Sequence, residues 1–168
     1  KELLFVVERE ADGREPLVRC INFGLDGMQS FSFTLEEERS AVLVPAGQVG
    51  TYLYEPNASV LKAGAFKQIA VRTGVKKLQV NSHLYTSDHL VSDFPGRRFR
   101  VDEVLSFTGK LCKGLSKTIP QANITVRNFP LSVEELRKRT KITDGGHVYL
   151  FATTLVDGEK VLVKCSKA

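Results

Sequence analysis

The sequence has no long hydrophobic run. Its longest uninterrupted apolar stretches, Leu3–Val7 and Val42–Ala46, fall far short of the roughly 20 residues that a membrane-spanning helix needs. The chain also shows no basic, apolar and small-residue succession of a secretory signal. These absences predict a cytoplasmic protein without a membrane partner. A composition of 42% apolar and 26% charged residues further excludes disordered, collagenous and coiled-coil chains.

Cysteine is scarce, and its spacing is uninformative. Cys20, Cys112 and Cys165 are odd in number and far apart, so they form neither a disulfide framework nor a CxxC zinc site. We expect buried, reduced thiols, which are typical of cytosolic proteins.

Catalytic motifs are missing as well. The chain contains no GxGxxG sequence and no phosphate-binding loop. His83 and His89 are six positions apart in a predicted loop, whereas a helical metal-ligand pair is four apart. Ser87, Asp88 and His89 are adjacent in sequence, but hydrolytic triads assemble from distant positions. The sequence therefore predicts no catalytic, cofactor-binding or metal-binding residue.

Positive charge is concentrated in the second half of the chain. Of 24 basic and 19 acidic residues, residues 1–84 hold 10 of each, which sum to zero. Residues 85–168 hold 14 basic against 9 acidic residues, so they carry the entire net charge of +5. Such asymmetry is typical of a polyanion-binding module joined to a neutral one, although an ordinary basic surface remains the alternative.

The first third of the sequence is rich in strand signals. Leu3–Val7 and Leu17–Phe23 flank a polar, glycine-containing connection and predict an antiparallel hairpin. Phe31 and Phe33 alternate with polar residues, as in a half-buried strand. The acidic residues 36–38 predict an exposed turn. Proline and glycine at 45–50 predict a linker, with a domain boundary after residue 47.

The next segment predicts a helix followed by a strand. Asn57 is a good N-cap, and apolar residues recur every four positions from Leu61 to Ile69, so we expect one helix ending near Gly74. Residues 78–85 predict a strand, and a polar connection follows up to Gly96.

The last third predicts the order β-α-β-α-β-β. Phe99 to Phe107 reads as a two-faced strand, and apolar residues at spacing four then predict a helix up to Ile119. Residues 122–128 predict a strand. Ser132 and Glu135 form a capping-box motif that starts a second helix. Two strands at 147–155 and 160–165 flank Asp157-Gly158, which predicts a type I′ hairpin turn. The sequence as a whole predicts an α+β fold.

Basic residues of the second half fall into three clusters, and these are the candidate nucleic-acid contacts. On the predicted helix that ends at Ile119, three lysines share the face opposite the apolar stripe. This arrangement fits either a solvated face or phosphate binding. Cations in the last turn of the second helix also suit the helix dipole without any ligand. Any nucleic-acid contact should read phosphates and shape. The three clusters are Arg97, Arg98 and Arg100; Lys110, Lys113 and Lys117; and Arg137, Lys138, Arg139 and Lys141.

Seven stretches resemble the C-terminal region of bacterial class I S-adenosylmethionine-dependent methyltransferases that end in a THUMP-like domain. They are Lys-Glu-Leu-Leu-Phe at 1–5, Tyr-Leu-Tyr-Glu-Pro-Asn at 52–57, Leu-Lys-Ala-Gly-Ala-Phe at 61–66, Asn-Ser-His-Leu-Tyr-Thr-Ser-Asp at 81–88, Phe-Pro-Gly-Arg-Arg-Phe at 94–99, Val-Arg-Asn-Phe-Pro-Leu at 126–131 and Tyr-Leu-Phe-Ala-Thr-Thr at 149–154. The resemblance extends over essentially the whole chain.

The resemblance implies three segments. Residues 1–47 would be a strand-rich region at the end of an upstream methyltransferase domain, residues 48–91 a small ferredoxin-like segment, and residues 92–168 the THUMP-like domain. THUMP domains bind RNA in RNA-modifying enzymes, and this role transfers here by analogy of fold. The family's S-adenosylmethionine-binding and catalytic motifs are expected upstream of residue 1. The resemblance therefore implies no cofactor-binding or catalytic residue in the chain itself.

These expectations lead to a preferred function and an alternative. The preferred function is a non-catalytic part of an RNA methyltransferase that binds structured RNA, such as tRNA or rRNA. The alternative is a structural module that braces the methyltransferase domain or a dimer, because a hairpin has an apolar face to bury. An independent enzyme is a third possibility, but no residue of the chain supports it.

Overall fold

A seven-stranded mixed sheet organises most of the described chain, with strand order β4-β5-β3-β6-β9-β8-β7. In this computed structural model, the structure describes residues 2, 4–7, 9, 13–24 and 27–168. Only β7 and β8 run parallel within this sheet. The elements are β1 (Leu17–Gly24), β2 (Gly27–Thr34), α1 (Leu35–Ser40), β3 (Tyr52–Pro56), α2 (Ala58–Ala63), α3 (Gln68–Thr73), β4 (Lys76–Lys77), β5 (Tyr85–Ser87), β6 (Gly96–Ser106), α4 (Gly109–Thr118), β7 (Asn123–Arg127), α5 (Val133–Thr140), β8 (Tyr149–Thr154) and β9 (Lys160–Lys167).

The fold is α+β, as predicted, and the order from β6 to β9 is the predicted β-α-β-α-β-β. Helices α4 and α5 cover one face of the sheet, where Leu115 and Leu136 pack against Leu150 and Leu162. Among the described residues, every helix is too short or too polar to cross a lipid bilayer.

Residues of the opposite face form a second core. Phe99 of β6 packs there against Phe151 of β8, with ring centroids 4.8 Å apart. Leu78 and Leu84, from the connection between β4 and β5, close this core and are fully buried. All three cysteines are buried free thiols, as predicted.

The two-stranded sheet β1–β2 packs against the beginning of the larger sheet. Cys20 and Phe33 join a third core with Tyr54 of β3 and Tyr85 of β5. Helix α1 adds a polar link, because the Glu38 carboxylate accepts the backbone N–H groups of residues 67 and 68 at 2.8–3.1 Å. Residues 36–38 therefore lie in a helix that anchors this hairpin, and the predicted exposed turn is wrong.

The predicted hairpin between Leu3–Val7 and Leu17–Phe23 is also wrong. Residues 4–7 are exposed and form no strand, while Leu3 lies outside the described residues. Strand β1 pairs instead with β2, from Leu17 opposite Thr34 to Gly24 opposite Gly27. A hydrophobic strand pattern identifies a strand but not its partner, because partner choice depends on which apolar faces the core can accept.

The predicted helix from Asn57 to Gly74 is interrupted. Asn57 caps α2 as expected, accepting the N–H groups of residues 59 and 60. Gly64 then adopts a left-handed conformation with φ of 77°, which ends α2, and α3 begins four residues later. Glycine tolerates positive φ because it has no Cβ. The second end is as predicted, with Gly74 as the C-cap of α3.

Two further local predictions need correction. Residues 78–84 form a loop between β4 and β5 instead of a strand. The apolar residues that suggested a strand, Leu78 and Leu84, fill the core from this loop. The β8–β9 hairpin does not use a type I′ turn, which needs positive φ at both central residues. Only Gly158 has positive φ, and its N–H donates to the Leu155 carbonyl at 3.1 Å.

Lys77 anchors the loop of residues 78–84 through a buried side chain. Its side chain is buried, and its Nζ donates to the Val80 carbonyl at 2.7 Å and lies 3.2 Å from His83 Nδ1. The rings of Phe66 and Tyr85 face the ammonium with centroids at 4.9 and 5.8 Å. Burial lowers the pKa of Lys77 from 10.5 to about 8, although the Glu38 charge opposes this shift.

The depressed pKa of Lys77 predicts a pH-dependent stability. Between about pH 8 and 10.5 the unfolded chain binds more protons than the folded one, so the contribution of Lys77 to folding becomes more favourable as pH rises. Relative to a Lys77→Met variant, the protein should gain about 1 kcal/mol of unfolding free energy from pH 7 to 9 in urea titrations. A difference between the two proteins that stays constant over this range would contradict the prediction.

Candidate nucleic-acid interface

Helix α4 has a buried apolar side, as predicted. Thr108 caps the helix by accepting the N–H of Leu111 at 3.1 Å. Cys112, Leu115 and Ile119 are buried, and Leu115 and Ile119 pack in the core formed by the sheet and Leu136 of α5. Their spacing of three and four residues places them on one face, so the opposite face is left to solvent.

That opposite face carries Lys110, Lys113 and Lys117, which are all exposed. None of them forms an ion pair with a carboxylate in the described part of the chain. Helix α4 contains no acidic residue, and Lys110 lies in its first turn. The helix dipole disfavours a cation at that end, so the stability of α4 does not explain Lys110.

Helix α5 lies beside α4, and its start is built as the sequence predicts. Ser132 Oγ accepts the N–H of Glu135 at 3.2 Å, and the Glu135 carboxylate accepts the N–H of Ser132 at 2.8 Å. These hydrogen bonds to Ser132 lower the pKa of Glu135. Leu136 is fully buried beneath the helix.

The four cations of α5 have different environments. Arg137 is largely committed to the fold, since it donates to the carbonyls of Ala122 and Ile142 and pairs with Asp144. Lys141 ends the helix in a left-handed conformation, with φ of 63°. Lys138 and Arg139 are exposed. The predicted cluster therefore contains one structural arginine.

Arg139 faces α4 across a shallow groove of about 220 Å³. Lys113, Phe107, Gly109 and Cys112 line the rest of this groove. Burial raises the pKa of the Cys112 thiol, and the nearby Arg139 charge partly opposes this effect. We name the exposed cations Lys110, Lys113, Lys117 and Arg139 the α4–α5 basic surface.

The strand arginines do not form one cluster. Arg97 pairs across the strands with Glu55, whereas Arg98 and Arg100 pair with Tyr54 and Tyr52. Residues of a strand point alternately to opposite faces, so Arg97 lies on the face opposite Arg98 and Arg100. Arg98 also donates to the Ser92 carbonyl. Proximity in the sequence therefore does not bring these three arginines to one surface, because neighbouring residues of a strand alternate between its faces.

Glu55 is a buried carboxylate, 4% exposed, that binds two arginines. Arg97 donates through Nε and Nη2 to Oε2, with Nε at 2.8 Å. Arg127 of β7 donates to Oε1 from Nε at 3.1 Å and Nη2 at 2.7 Å. Sequence reasoning missed Arg127, which has no other basic residue near it in the sequence. The available signal was Glu55 itself, within the apolar run 52–56. A carboxylate that is buried with such a run needs a cationic partner from another part of the chain.

The residues examined for hydrolytic chemistry do not assemble a site. Ser87 Oγ lies 2.9 Å from the Tyr54 hydroxyl and donates to the backbone carbonyl of His89, and neither interaction involves an imidazole. His83 stacks on Phe66 with ring centroids 3.9 Å apart. Burial first, then the charges of Lys77 and Arg127, lower the pKa of His83. The described residues hold no group of three or more His, Cys, Asp or Glu suited to a metal ion.

Comparisons with known proteins match two consecutive units within residues 52–167. Residues 52–95 match the family model of a ferredoxin-like domain, and residues 96–167 match that of a THUMP domain-like family. A crystal structure described as a "putative methyltransferase from Porphyromonas gingivalis W83" is 48% identical, with a TM-score of 0.86. The match covers 90% of this chain but 38% of that one, so this chain spans well under half of its neighbour. No curated protein sequence matches significantly.

The Glu55 interaction predicts a large effect of a conservative change. Glu55→Gln should lower the free energy of unfolding by about 2–4 kcal/mol, because an amide NH₂ group would face arginine donors. Glu36→Gln is the matched control, since within the described residues the Glu36 carboxylate pairs only with Arg39, at 3.8 Å on the surface. Urea denaturation of both variants measures the difference. Equal effects of the two substitutions would show that the buried carboxylate is not an anchor.

Proposed function

We propose that this chain is the non-catalytic, RNA-binding part of a longer S-adenosylmethionine-dependent methyltransferase that acts in the cytoplasm. It holds a structured RNA, such as tRNA or rRNA, for a catalytic domain outside the chain. The single observation that carries the proposal is the α4–α5 basic surface, whose cations are exposed and lack carboxylate partners within the described residues.

Phosphate is the ligand chemistry that this surface fits best. Its three lysines lie in one row on α4, and Arg139 adds a fourth cation from α5. Rows of cations neutralise the regularly spaced charges of a nucleic-acid backbone and release its counterions. Cations in such a row contact phosphates and carry no base-specific readout, so recognition would depend on RNA shape and phosphate positions.

The comparisons support this proposal. A THUMP-like match supports RNA binding through the general role of THUMP domains. The Porphyromonas gingivalis protein is longer than this chain, which supports placing catalysis in the part that this chain lacks.

The residues present do not fit S-adenosylmethionine itself. Nucleotide-like cofactors are held by a glycine-rich turn between a parallel strand and its helix. The described part of the chain has one parallel pair, β7 and β8, and residues 128–132 between β7 and α5 include no glycine. The cofactor is therefore assigned to the longer protein, and methyl transfer is not assigned to any residue here.

Salt-dependent binding tests the proposed RNA surface. Binding of an unmodified tRNA transcript should weaken steeply from about 50 to 200 mM salt, because condensed cations are released on binding. Replacing Lys110, Lys113 and Lys117 by Gln should reduce the slope of log K against log salt by about 2–3. Fluorescence anisotropy at several salt concentrations measures both quantities.

A matched control has the same change in net charge elsewhere. Arg19, Lys62 and Lys76 are exposed outside the THUMP-like unit, and replacing all three by Gln also removes three positive charges. This control should retain the slope of the unaltered protein. If both triple variants lose slope equally, binding follows net charge alone and the assignment to α4 is wrong.

A second candidate function is bracing of another protein surface, and the outer face of the β1–β2 hairpin favours it. Ile21, Phe23 and Met28 lie on that face with 44%, 81% and 63% of their surface exposed. Phe23 and Met28 are cross-strand partners, so they form one apolar patch. Exposed apolar patches of this kind are typical of contact surfaces.

Self-association tests the dimeric form of this alternative. If the patch joins two copies, sedimentation velocity at about 100 μM should show a dimer, and Phe23→Asp with Met28→Asp should convert it to monomer. These substitutions lie outside the cores, so circular dichroism should show an unchanged fold. If the unaltered protein already sediments as a monomer, the patch does not join two copies.

A further inference from the structure

A cleft opens where the two matched units meet. Its volume is about 330 Å³, at the lower end of the range of small-molecule sites. The ferredoxin-like unit and the THUMP-like unit each supply part of its lining. The lining residues are Glu55, Pro56, Asn57, Ala58 and Leu61 from the first unit, and Arg97, Thr125 and Arg127 from the second.

Both arginines of the cleft keep unused donors. Each binds Glu55 through Nε and Nη2, which leaves both N–H groups of Nη1 and the outer N–H of Nη2. Within the described part of the chain, these groups donate no hydrogen bond. The side chains of Arg97 and Arg127 are 53% and 39% exposed, so the unused donors are open to a ligand.

The two guanidinium groups are held in place before any ligand binds. One buried carboxylate fixes both of them from different oxygens. Arg97 also lies over the Phe99 ring, with its guanidinium carbon 5.4 Å from the centroid. Two arginines share one carboxylate, so the local charge is positive. Preorganised guanidinium edges of this kind bind phosphate oxygens bidentately.

The remaining walls of the cleft suit the rest of a nucleotide. Pro56, Ala58 and Leu61 supply an apolar side, and Thr125 supplies a hydroxyl. An apolar wall beside arginine planes accommodates an unstacked base, as in recognition of single-stranded RNA. Sulfate or phosphate alone would leave that wall unused.

The cleft and the α4–α5 basic surface lie on opposite faces of the sheet. Thr125 and Arg127 line the cleft, whereas Ile124 and Val126 alternate with them in β7 and pack in the core beneath α4 and α5. Phe129 follows β7 two residues after Arg127, and its ring packs edge-on against Phe107 at 5.0 Å. Phe107 lies two residues before Gly109, the first residue of α4. A strand of RNA that follows the α4 lysines would therefore reach the cleft by passing around the end of β7, the edge strand of the sheet.

We infer that the cleft between α2 and β7 binds one unpaired nucleotide of an RNA strand, with its phosphate on Arg97 and Arg127 and its base against Leu61. This inference rests on the proposed function. It differs from that function by assigning a specific nucleotide pocket, with Arg127 as a ligand, in addition to the α4–α5 basic surface.

Charge-preserving substitutions test the pocket. Arg127→Lys retains a cation for Glu55 but removes the bidentate edge, so binding of a fluorescein-labelled RNA of five adenylates should weaken about tenfold. Leu61→Trp should weaken it similarly by filling the cleft, without touching the Glu55 interaction. Arg19→Lys is the matched control, because Arg19 is exposed outside the THUMP-like unit and belongs to neither proposed RNA contact, so it should change binding less than twofold. Thermal melting confirms that each variant is folded.

Two competitors identify the ligand. The nucleotide AMP should displace the labelled RNA, whereas adenosine, which lacks the phosphate, should do so at least fivefold less well. The five-nucleotide RNA should bind at least tenfold more tightly than AMP, since neighbouring phosphates also contact the basic surface. Comparable affinities would assign the cleft to free nucleotides and overturn the inference.

The two proposals fail in different ways. If Arg127→Lys and Leu61→Trp bind the five-nucleotide RNA like the unaltered protein while the α4 lysine variant still loses tRNA affinity, the pocket is wrong and the RNA surface stands. If the unaltered protein binds neither the tRNA transcript nor the five-nucleotide RNA, both the proposed function and the pocket are wrong.

Discussion

The Glu55 carboxylate is the interaction on which the arrangement of the two units depends. It lies in β3, in the ferredoxin-like unit, and both of its arginine partners belong to the THUMP-like unit. Strands β3 and β7 are four positions apart in the sheet, a separation of about 19 Å if the sheet were flat. Contact between Glu55 and Arg127 therefore requires a strongly curved sheet. A buried carboxylate is costly without such partners, so the interaction favours the curved arrangement over alternatives.

That curvature also organises the surface that we assign to RNA. It brings the end of β7 next to α2, which creates the cleft, and it keeps Arg97 and Arg127 on the same carboxylate. Arg97 therefore has two roles, as an anchor of the fold and as a donor facing the cleft. Arg137 shares the first role, since it anchors the fold by donating to the Ala122 and Ile142 carbonyls and pairing with Asp144. Lys110, Lys113 and Lys117 have no such role, and they are the cations most clearly free for phosphate.

Local pattern was sufficient for the predictions that depend on one element. The two faces of α4, the capping box of α5, the Asn57 cap and the order of elements after residue 96 are all confirmed. Each depends on helical or strand periodicity or on a hydrogen bond within a few residues. The predicted partner of β1, the uninterrupted helix and the strand at 78–85 are wrong, because apolar side chains fill a core equally well from strands, helices or loops. The boundaries after residues 47 and 91 stay predictions.

The sequence by itself determined the α+β class, the basic second half and the lysine face of α4. These properties follow from composition and from spacing along one chain segment, which folding does not change. Only the tertiary structure decided that Arg139 joins the α4 lysines and that Arg127 meets Glu55 from 72 residues away. The last contact depends on the curvature of the whole sheet. No local pattern encodes that curvature, because it results from the packing of both faces at once.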